Sequence, residues 1–351
     1  MPVLNEFGNI AIIQTAFIGD VALALPLAQA IRHYNKHAII TFVTTPLAAP
    51  LVNIAKAVDR TIIYDKRGKN SGAKGILNIS KMLKNLGVEC IIAPHRSLRT
   101  TLITRLAKPG FSVGFDRNAM SFMYNSNVQY CNDKHEIDRN LNLLSAFSDF
   151  EAVKTYFLDK IDYEVGIQDK EYINNRLSAT KVGLDRIVLL APGSEWNTKR
   201  WKEEYYIELV KSFTGCNYSC VLIGSKKEEP LCKYIAGESG AINFAGATSL
   251  PQLLYLMTKS RIVITNDSAP THIAGLAGCH VITIFGPTVP EFGFAPRSSG
   301  SAVIQSDGLK CRPCRIHGSN RCPIRTHECM TGILPARVFE KALEIMAKKI
   351  D

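Results

Sequence analysis

Residues 261–287, RIVITNDSAPTHIAGLAGCHVITIFGP, decide how this 351-residue chain folds. The stretch opens on a β-branched run, Ile262-Val263-Ile264-Thr265, which reads as a strand of a buried parallel sheet. The run stops at Asn266-Asp267-Ser268, three residue types that cap helices, and Pro270 suits a first helical position. Residues 271–276 predict a short helix that Gly278 can end, and residues 281–285 predict a second strand closed by Gly286-Pro287. A strand therefore delivers a polar turn to a helix N-terminus at the carboxyl edge of a parallel sheet, the place where open α/β sheets bind ligands. Unpaired N–H groups and the positive end of the helix dipole suit a phosphate there. Ser268 and Ala269 are small enough for a diphosphate to approach the backbone, and Asp267 and His272 offer polar groups to an attached sugar. The same pattern also fits a crossover helix with Asp267 as a plain cap.

The residues NDSAPTHIAGLAG, then VITIFGPT, resemble the donor-site signature of the ADP-heptose:lipopolysaccharide heptosyltransferases, glycosyltransferase family 9. The family usually has Gly where Ala269 stands, which makes the phosphate approach tighter here. The chain resembles that family at further points along its length.

Length predicts two domains of ordinary size, and 46% apolar with 21% charged residues is a globular composition. No run reaches the roughly 18 apolar residues of a membrane span, and the start shows no signal-peptide pattern, so a cytoplasmic protein is expected. The net charge of +11, from 42 Lys+Arg against 31 Asp+Glu, favours polyanionic partners. The basic residues form no RNP-like or arginine-rich block, so nucleic acid is not expected; an anionic inner-membrane surface bearing phosphorylated glycolipid fits the charge, with peripheral contact.

In the first half, strands are predicted at 9–14, 38–43, 60–64 and 89–93, with helices at 25–34 and 76–86. This βα alternation predicts a doubly wound parallel sheet. Pro26 is expected in the first turn of its helix, because deeper inside it would break backbone bonding, which leaves Asp20 on a loop at the carboxyl end of strand one. On the residues alone Asp20 is a cap or a general base. The Gly19-Asp20 pair ahead of a Pro-containing helix matches the family's N-terminal motif, whose acidic residue the resemblance makes the catalytic base. The basic loop 66–69 reads as solvated surface. Residues 95–117 place Ser97, Arg99 and Arg105 on a helix; Arg96, Arg99 and Arg117 are the expected acceptor contacts, since arginine forks onto phosphate or carboxylate. Ordinary surface arginines remain the other reading. His135-Glu136-Ile137-Asp138-Arg139 opens a helix running to Phe147 and is similar to a run in the family; acids in a first helical turn also need only the dipole to explain them.

A linker is expected within 150–183, with a poorly periodic stretch at 156–169 and a helix at 170–177. The second domain starts with a strand at 186–191 and the run Pro192-Gly193-Ser194-Glu195-Trp196-Asn197-Thr198-Lys199-Arg200-Trp201, similar to the family's second-domain opening. Ser194, Thr198 and Lys199 on that loop suit a diphosphate, with Lys199 neutralising charge on the leaving group. After the strand 219–223, Glu228 or Glu229 could accept from ribose hydroxyls or simply cap a helix. The resemblance thus implies Ser194, Thr198, Lys199, Glu228, Asp267, Ser268, Ala269, Thr271 and His272 as donor-binding residues.

Six of the ten cysteines are scattered and read as reduced core thiols. The other four, Cys311, Cys314, Cys322 and Cys329, lack the second CxxC of a zinc ribbon but resemble the tail of the heptosyltransferase II branch. A structural zinc, plain thiols and a disulfide all stay open. A last amphipathic helix is predicted over 335–349.

The resemblance implies a GT-B architecture: α/β, two Rossmann-like doubly wound domains with an interdomain cleft. It places an acceptor domain at 1–165, a donor domain at 180–333 and a C-terminal helix, 334–351, packing back on the first. It implies an inverting transferase using ADP-L-glycero-D-manno-heptose and the inner core of lipopolysaccharide, with no required cofactor. Two other classes stay open: a related GT-B transferase or epimerase using another nucleotide sugar, and a non-enzymatic zinc-containing protein binding polyanions.

Overall fold

The computed structural model describes residues 1–118, 120–157, 160–180 and 186–348. Two compact units divide the chain at Glu164/Val165. The first carries β1 (Asn9–Ile13), β2 (Ile39–Thr44), β3 (Arg60–Ile63), β4 (Cys90–Ala93), β5 (Phe111–Phe115) and β6 (Ser126–Val128). They form one sheet in the order β3-β2-β1-β4-β5-β6, every pair parallel.

The second unit carries β7 (Ile187–Ala191), β8 (Ser219–Leu222), β9 (Ile242–Asn243), β10 (Ile262–Asn266), β11 (Val281–Phe285) and β12 (Ala302–Gln305). Their order is β12-β11-β10-β7-β8-β9, again all parallel. Counted from each unit's first strand, this is the same order twice, and the direction of winding reverses between β1 and β4 and between β7 and β10. These two reversals open the crevices in which doubly wound sheets hold ligands. The central strands β7, β10 and β11 are buried at every position, as sequences apolar on both faces require. Of the four edge strands, β6, β9 and β12 are short and partly exposed, and their sequences carry little pattern.

Two expectations about helices are corrected. The first helix starts at Ile18 and runs to Tyr34, so Pro26 lies in its interior and Asp20 in its first turn rather than on a loop. The N–H that Pro26 lacks is the one that would meet the Ala22 carbonyl, and at the next residue the buried Asn140 Nδ2 donates to the Leu23 carbonyl at 3.0 Å. The helix opened by His135 is split: Glu136–Asn142 is α-helical, and a 3₁₀ turn, Leu143–Ala146, comes after it. The last helix, Pro335–Ala347, belongs to the second unit. Its stripe of Val338, Ala342, Ile345 and Met346 enters the core of that unit, where Phe339 meets Phe213 edge-on with ring centres 4.9 Å apart. Residue 349 of that predicted helix, and 158 and 159 of the stretch 156–169, lie outside the described residues. Among the described residues no helix is long and apolar enough to cross a membrane.

Phe213 is fully buried between Tyr218 and Phe339. Phe213→Ala is expected to lower stability by about 3–5 kcal/mol through lost burial and the cavity left behind, measured by chemical denaturation.

Candidate active site

In the first unit the crevice between β1 and β4 is lined by the segments that leave the carboxyl ends of these two strands. After β1 the chain turns into the Ile18–Tyr34 helix, and Asp20 Oδ2 accepts from the Phe17 N–H at 3.1 Å, a cap on the helix start. Asp20 is half-buried, and its pKa is pushed up to about 6. Burial is the main cause, and the Glu136 carboxylate adds to it; the N–H bonds and the Arg96 charge oppose them.

After β4 comes His95. Its Nδ1 lies 2.9 Å from Thr15 Oγ1, 3.1 Å from Thr100 Oγ1 and 3.3 Å from Ser97 Oγ. Burial, then the Lys66 and Arg96 charges, push its pKa down to about 4, so the imidazole is neutral at pH 7. Lys66 is no solvated surface residue: its Nζ donates to the Thr15 carbonyl at 2.7 Å, and burial, then Arg67 and Arg99, lower its pKa.

Arg96 lays its guanidinium over the Tyr130 ring, 3.7 Å from the centroid. The Tyr130 hydroxyl donates to Glu136 Oε2 at 2.8 Å, and Glu136 pairs with Arg139 Nη1 at 2.9 Å in a buried ion pair. His135, the N-cap, accepts from the Ile137 N–H at 3.2 Å. The His-Glu-x-Asp-Arg run is therefore the buried support beneath Arg96. Arg99 is exposed on the Leu98–Ala107 helix and is felt at Tyr64 and Lys66. Arg117 donates instead to Asn132 Oδ1 at 2.8 Å, on the loop after β5.

In the second unit Asn266 organises the crevice between β7 and β10. Its Nδ2 donates to the Pro192 carbonyl at 2.8 Å and the Gly193 carbonyl at 3.3 Å, while its Oδ1 accepts from the Trp201 N–H at 3.1 Å. Both ends of the loop after β7 are thus tied to the end of β10. On that loop Lys199 Nζ donates to Asp267 Oδ2 at 2.6 Å, and Thr288 Oγ1 donates to the same oxygen at 2.6 Å. The pair is nearly buried, with side chains 12% and 8% exposed. Ser268 and Ala269, half-buried, begin the Ala269–Leu276 helix, whose first N–H groups lack intrahelical partners.

Other expected donor residues sit close by but turn their polar atoms inward. The Thr271 hydroxyl lies 2.7 Å from that of Thr265 and 3.1 Å from that of Thr283, wholly buried. The Thr198 hydroxyl is taken by Ser319, donating to its carbonyl at 2.7 Å and accepting from its N–H at 2.9 Å. Ser194 is buried, and its carbonyl accepts from Arg200 Nε at 2.9 Å. His272 is buried beside Phe294. Glu228 caps Ser225 through the N–H at 2.6 Å and presses its carboxylate on Gly193, where a Cβ would come 1.8 Å from Oε1. Sequence reasoning missed His95, Lys66 and Tyr130 as parts of the first site. The position of His95 directly after a central strand was the available signal.

The four tail cysteines interact electrostatically with one another, and all are free thiols. Burial and the charges of Cys311 and Cys322 raise the Cys314 pKa. Cys322 titrates low: burial is the largest single influence and opposes this, but the N–H groups of His327, Ile324, Arg325 and Thr326 together outweigh it. Among the described residues no group of three or more His, Cys, Asp or Glu side chains is placed to hold a metal ion.

Residues 76–323 match the model of glycosyltransferase family 9 (heptosyltransferase). The chain is 23% identical over 341 residues to lipooligosaccharide heptosyltransferase 2 of Campylobacter jejuni, covering 94% of this chain and 96% of that one. In fold it is similar to a glycosyltransferase family 9 structure from Veillonella parvula, with a TM-score of 0.84 at 19% identity and 97% of each chain covered. It is also similar to E. coli ADP-heptose LPS heptosyltransferase II, with a TM-score of 0.77 at 21% identity, covering 96% of this chain and 98% of that one.

Because its folded pKa is raised, Asp20 binds its proton more tightly in the native state, so stability falls as pH rises from about 4 through about 6. Asp20→Asn removes this cost while keeping an acceptor for the Phe17 N–H. The variant is expected to gain up to about 2 kcal/mol over the parent at pH 8 and little at pH 4, measured by thermal unfolding at both pH values.

Proposed function

The chain belongs to glycosyltransferase family 9, and on that premise we propose that it moves heptose from ADP-heptose to the inner core of lipopolysaccharide with inversion at the anomeric carbon. The observation that carries this reading is the nearly buried Lys199–Asp267 pair beside a helix N-terminus at the carboxyl edge of β7 and β10. An ammonium held in such a place is matched to a diphosphate leaving group.

In this reading Asp20 takes the proton of the acceptor hydroxyl as its oxygen attacks the anomeric carbon. The bond from that carbon to the diphosphate oxygen breaks, and ADP leaves with the electron pair. Charge building up on the diphosphate is met by Lys199 and by the N–H groups at Ser268 and Ala269. Asp267 holds Lys199 through Oδ2 and offers Oδ1 to hydroxyls of the donor sugar. With this charge supplied by the protein, the reading calls for no divalent ion. A base with a pKa near 6 suits the task, because it is ionised at neutral pH yet takes a proton more readily than an ordinary carboxylate. Arg96, Lys66 and Arg99 form a cationic surround suited to an anionic acceptor, and neutral His95 adds a hydrogen-bonding group without adding charge. The +11 net charge favours peripheral contact with an anionic membrane surface on which such an acceptor lies.

Two measurements test the assignment. Turnover with ADP-heptose and a core acceptor is expected to exceed that with UDP- or GDP-sugars, and kcat is expected to rise through an acid limb near pH 6. Asp20→Asn is expected to lower kcat by about 10²–10⁴-fold while leaving ADP affinity near the parent value, read by calorimetry. Near-parental turnover of that variant removes Asp20 as the base, and preference for another nucleotide sugar removes the donor assignment.

A further inference from the structure

We propose that the cysteine-bearing segment 311–329 is a clamp that positions Lys199 against Asp267, so that the tail sets the geometry of the donor site without touching the donor. The proposal rests on the reading of Lys199 as the leaving-group cation.

The clamp grips both sides of the ion pair. On the Lys199 side, Thr198 N–H donates to the Ser319 carbonyl at 3.0 Å, alongside the two bonds between the Thr198 hydroxyl and Ser319. His327 Nε2 lies 2.8 Å from the Thr198 carbonyl and must donate there, because a carbonyl only accepts. Four hydrogen bonds thus converge on the residue preceding Lys199. Gly318 backs directly onto the lysine: at φ +82, an added Cβ would stand 3.2 Å from Lys199 Cγ, 3.4 Å from its Cε and 3.3 Å from Trp196 Cβ.

On the Asp267 side, Cys314 N–H donates to the Pro287 carbonyl at 2.9 Å and Arg312 Nη2 to the Thr288 carbonyl at 2.8 Å. Thr288 in turn donates to Asp267 Oδ2, the oxygen that holds Lys199. One segment therefore spans from the loop after β7 to the loop after β11 and braces both partners of the pair. Its own shape is held by a turn in which the Arg325 N–H donates to the Cys322 carbonyl at 3.2 Å. Positive φ at Arg325 and His327 bends the chain there.

The test uses the full chain, with ADP as the probe. Gly318→Ala and His327→Ala are expected to raise the ADP Kd about five- to tenfold, the scale of one lost hydrogen bond, and to lower kcat with the acceptor KM unchanged. His327→Gln keeps a donor and is expected to recover part of the loss. A tail that merely stabilised the fold would lower Tm without separating donor from acceptor. ADP affinity and kcat at parental values in both alanine variants would overturn the clamp. In the unaltered protein, saturating ADP is expected to slow iodoacetamide alkylation of Cys322 several-fold relative to exposed Cys216, read by peptide mass; an unchanged ratio also overturns the proposal. Lys199→Ala separates the two levels. If it leaves ADP affinity intact the donor reading fails; if it weakens ADP while the tail variants do not, only the clamp fails.

Discussion

A lysine ammonium and an aspartate carboxylate held 2.6 Å apart, both almost out of water, are the constraint around which the second unit is built. Dehydrating two ions is costly, and their attraction offsets that cost only when the remaining polar atoms are also satisfied. The surrounding residues meet that condition. Thr288 donates to the carboxylate, Asn266 ties the two strand ends that carry the pair, and the cysteine segment braces the loops behind it. Such a pair is weak evidence for stability. Its worth is placement: a cation fixed at a sheet's carboxyl edge, beside a helix start that presents N–H groups.

The first unit uses the same topology for the opposite chemistry. Its crevice holds a carboxylate whose ionised form burial disfavours, and the neighbours that counter this are cations and N–H groups. Beneath Arg96 lies a layer of Tyr130, Glu136 and Arg139 that is satisfied internally. Glu136 has two effects at once: it neutralises Arg139, and its charge helps to raise the Asp20 pKa. The first site therefore offers a proton acceptor among positive groups, while the second offers a positive group with a paired acid.

The central strands were legible because burial on both faces writes a continuous apolar or β-branched run, as at 187–191 and 262–265. The edge strand β3 was also read, at 60–64, but the edge strands β6, β9 and β12 were not, since little of their surface is buried. Pro26 misled because its helix, Ile18–Tyr34, carries the proline in its buried interior, against residues as distant as Asn140, and no local pattern carries that information. The same long-range character explains the site. The placement of Lys199 and Asp267 after β7 and β10 was readable from their motifs, but the fates of the Thr198 and Thr271 hydroxyls depend on Ser319, Thr265 and Thr283 arriving from elsewhere. The last helix was correctly seen as amphipathic; which core receives it is settled by shape, through Phe213 and Phe339, and periodicity is silent on that.

The contact between Gly193 and Glu228 limits how this crevice can drift in sequence. The absence of a side chain at one position is the seat for a carboxylate at the other, and that carboxylate also anchors the turn after β8. A methyl at 193 would have to displace the carboxylate, and a shorter group at 228 would leave the Ser225 N–H without that acceptor. The two positions are therefore coupled: a change at one alters the room or the bonding at the other.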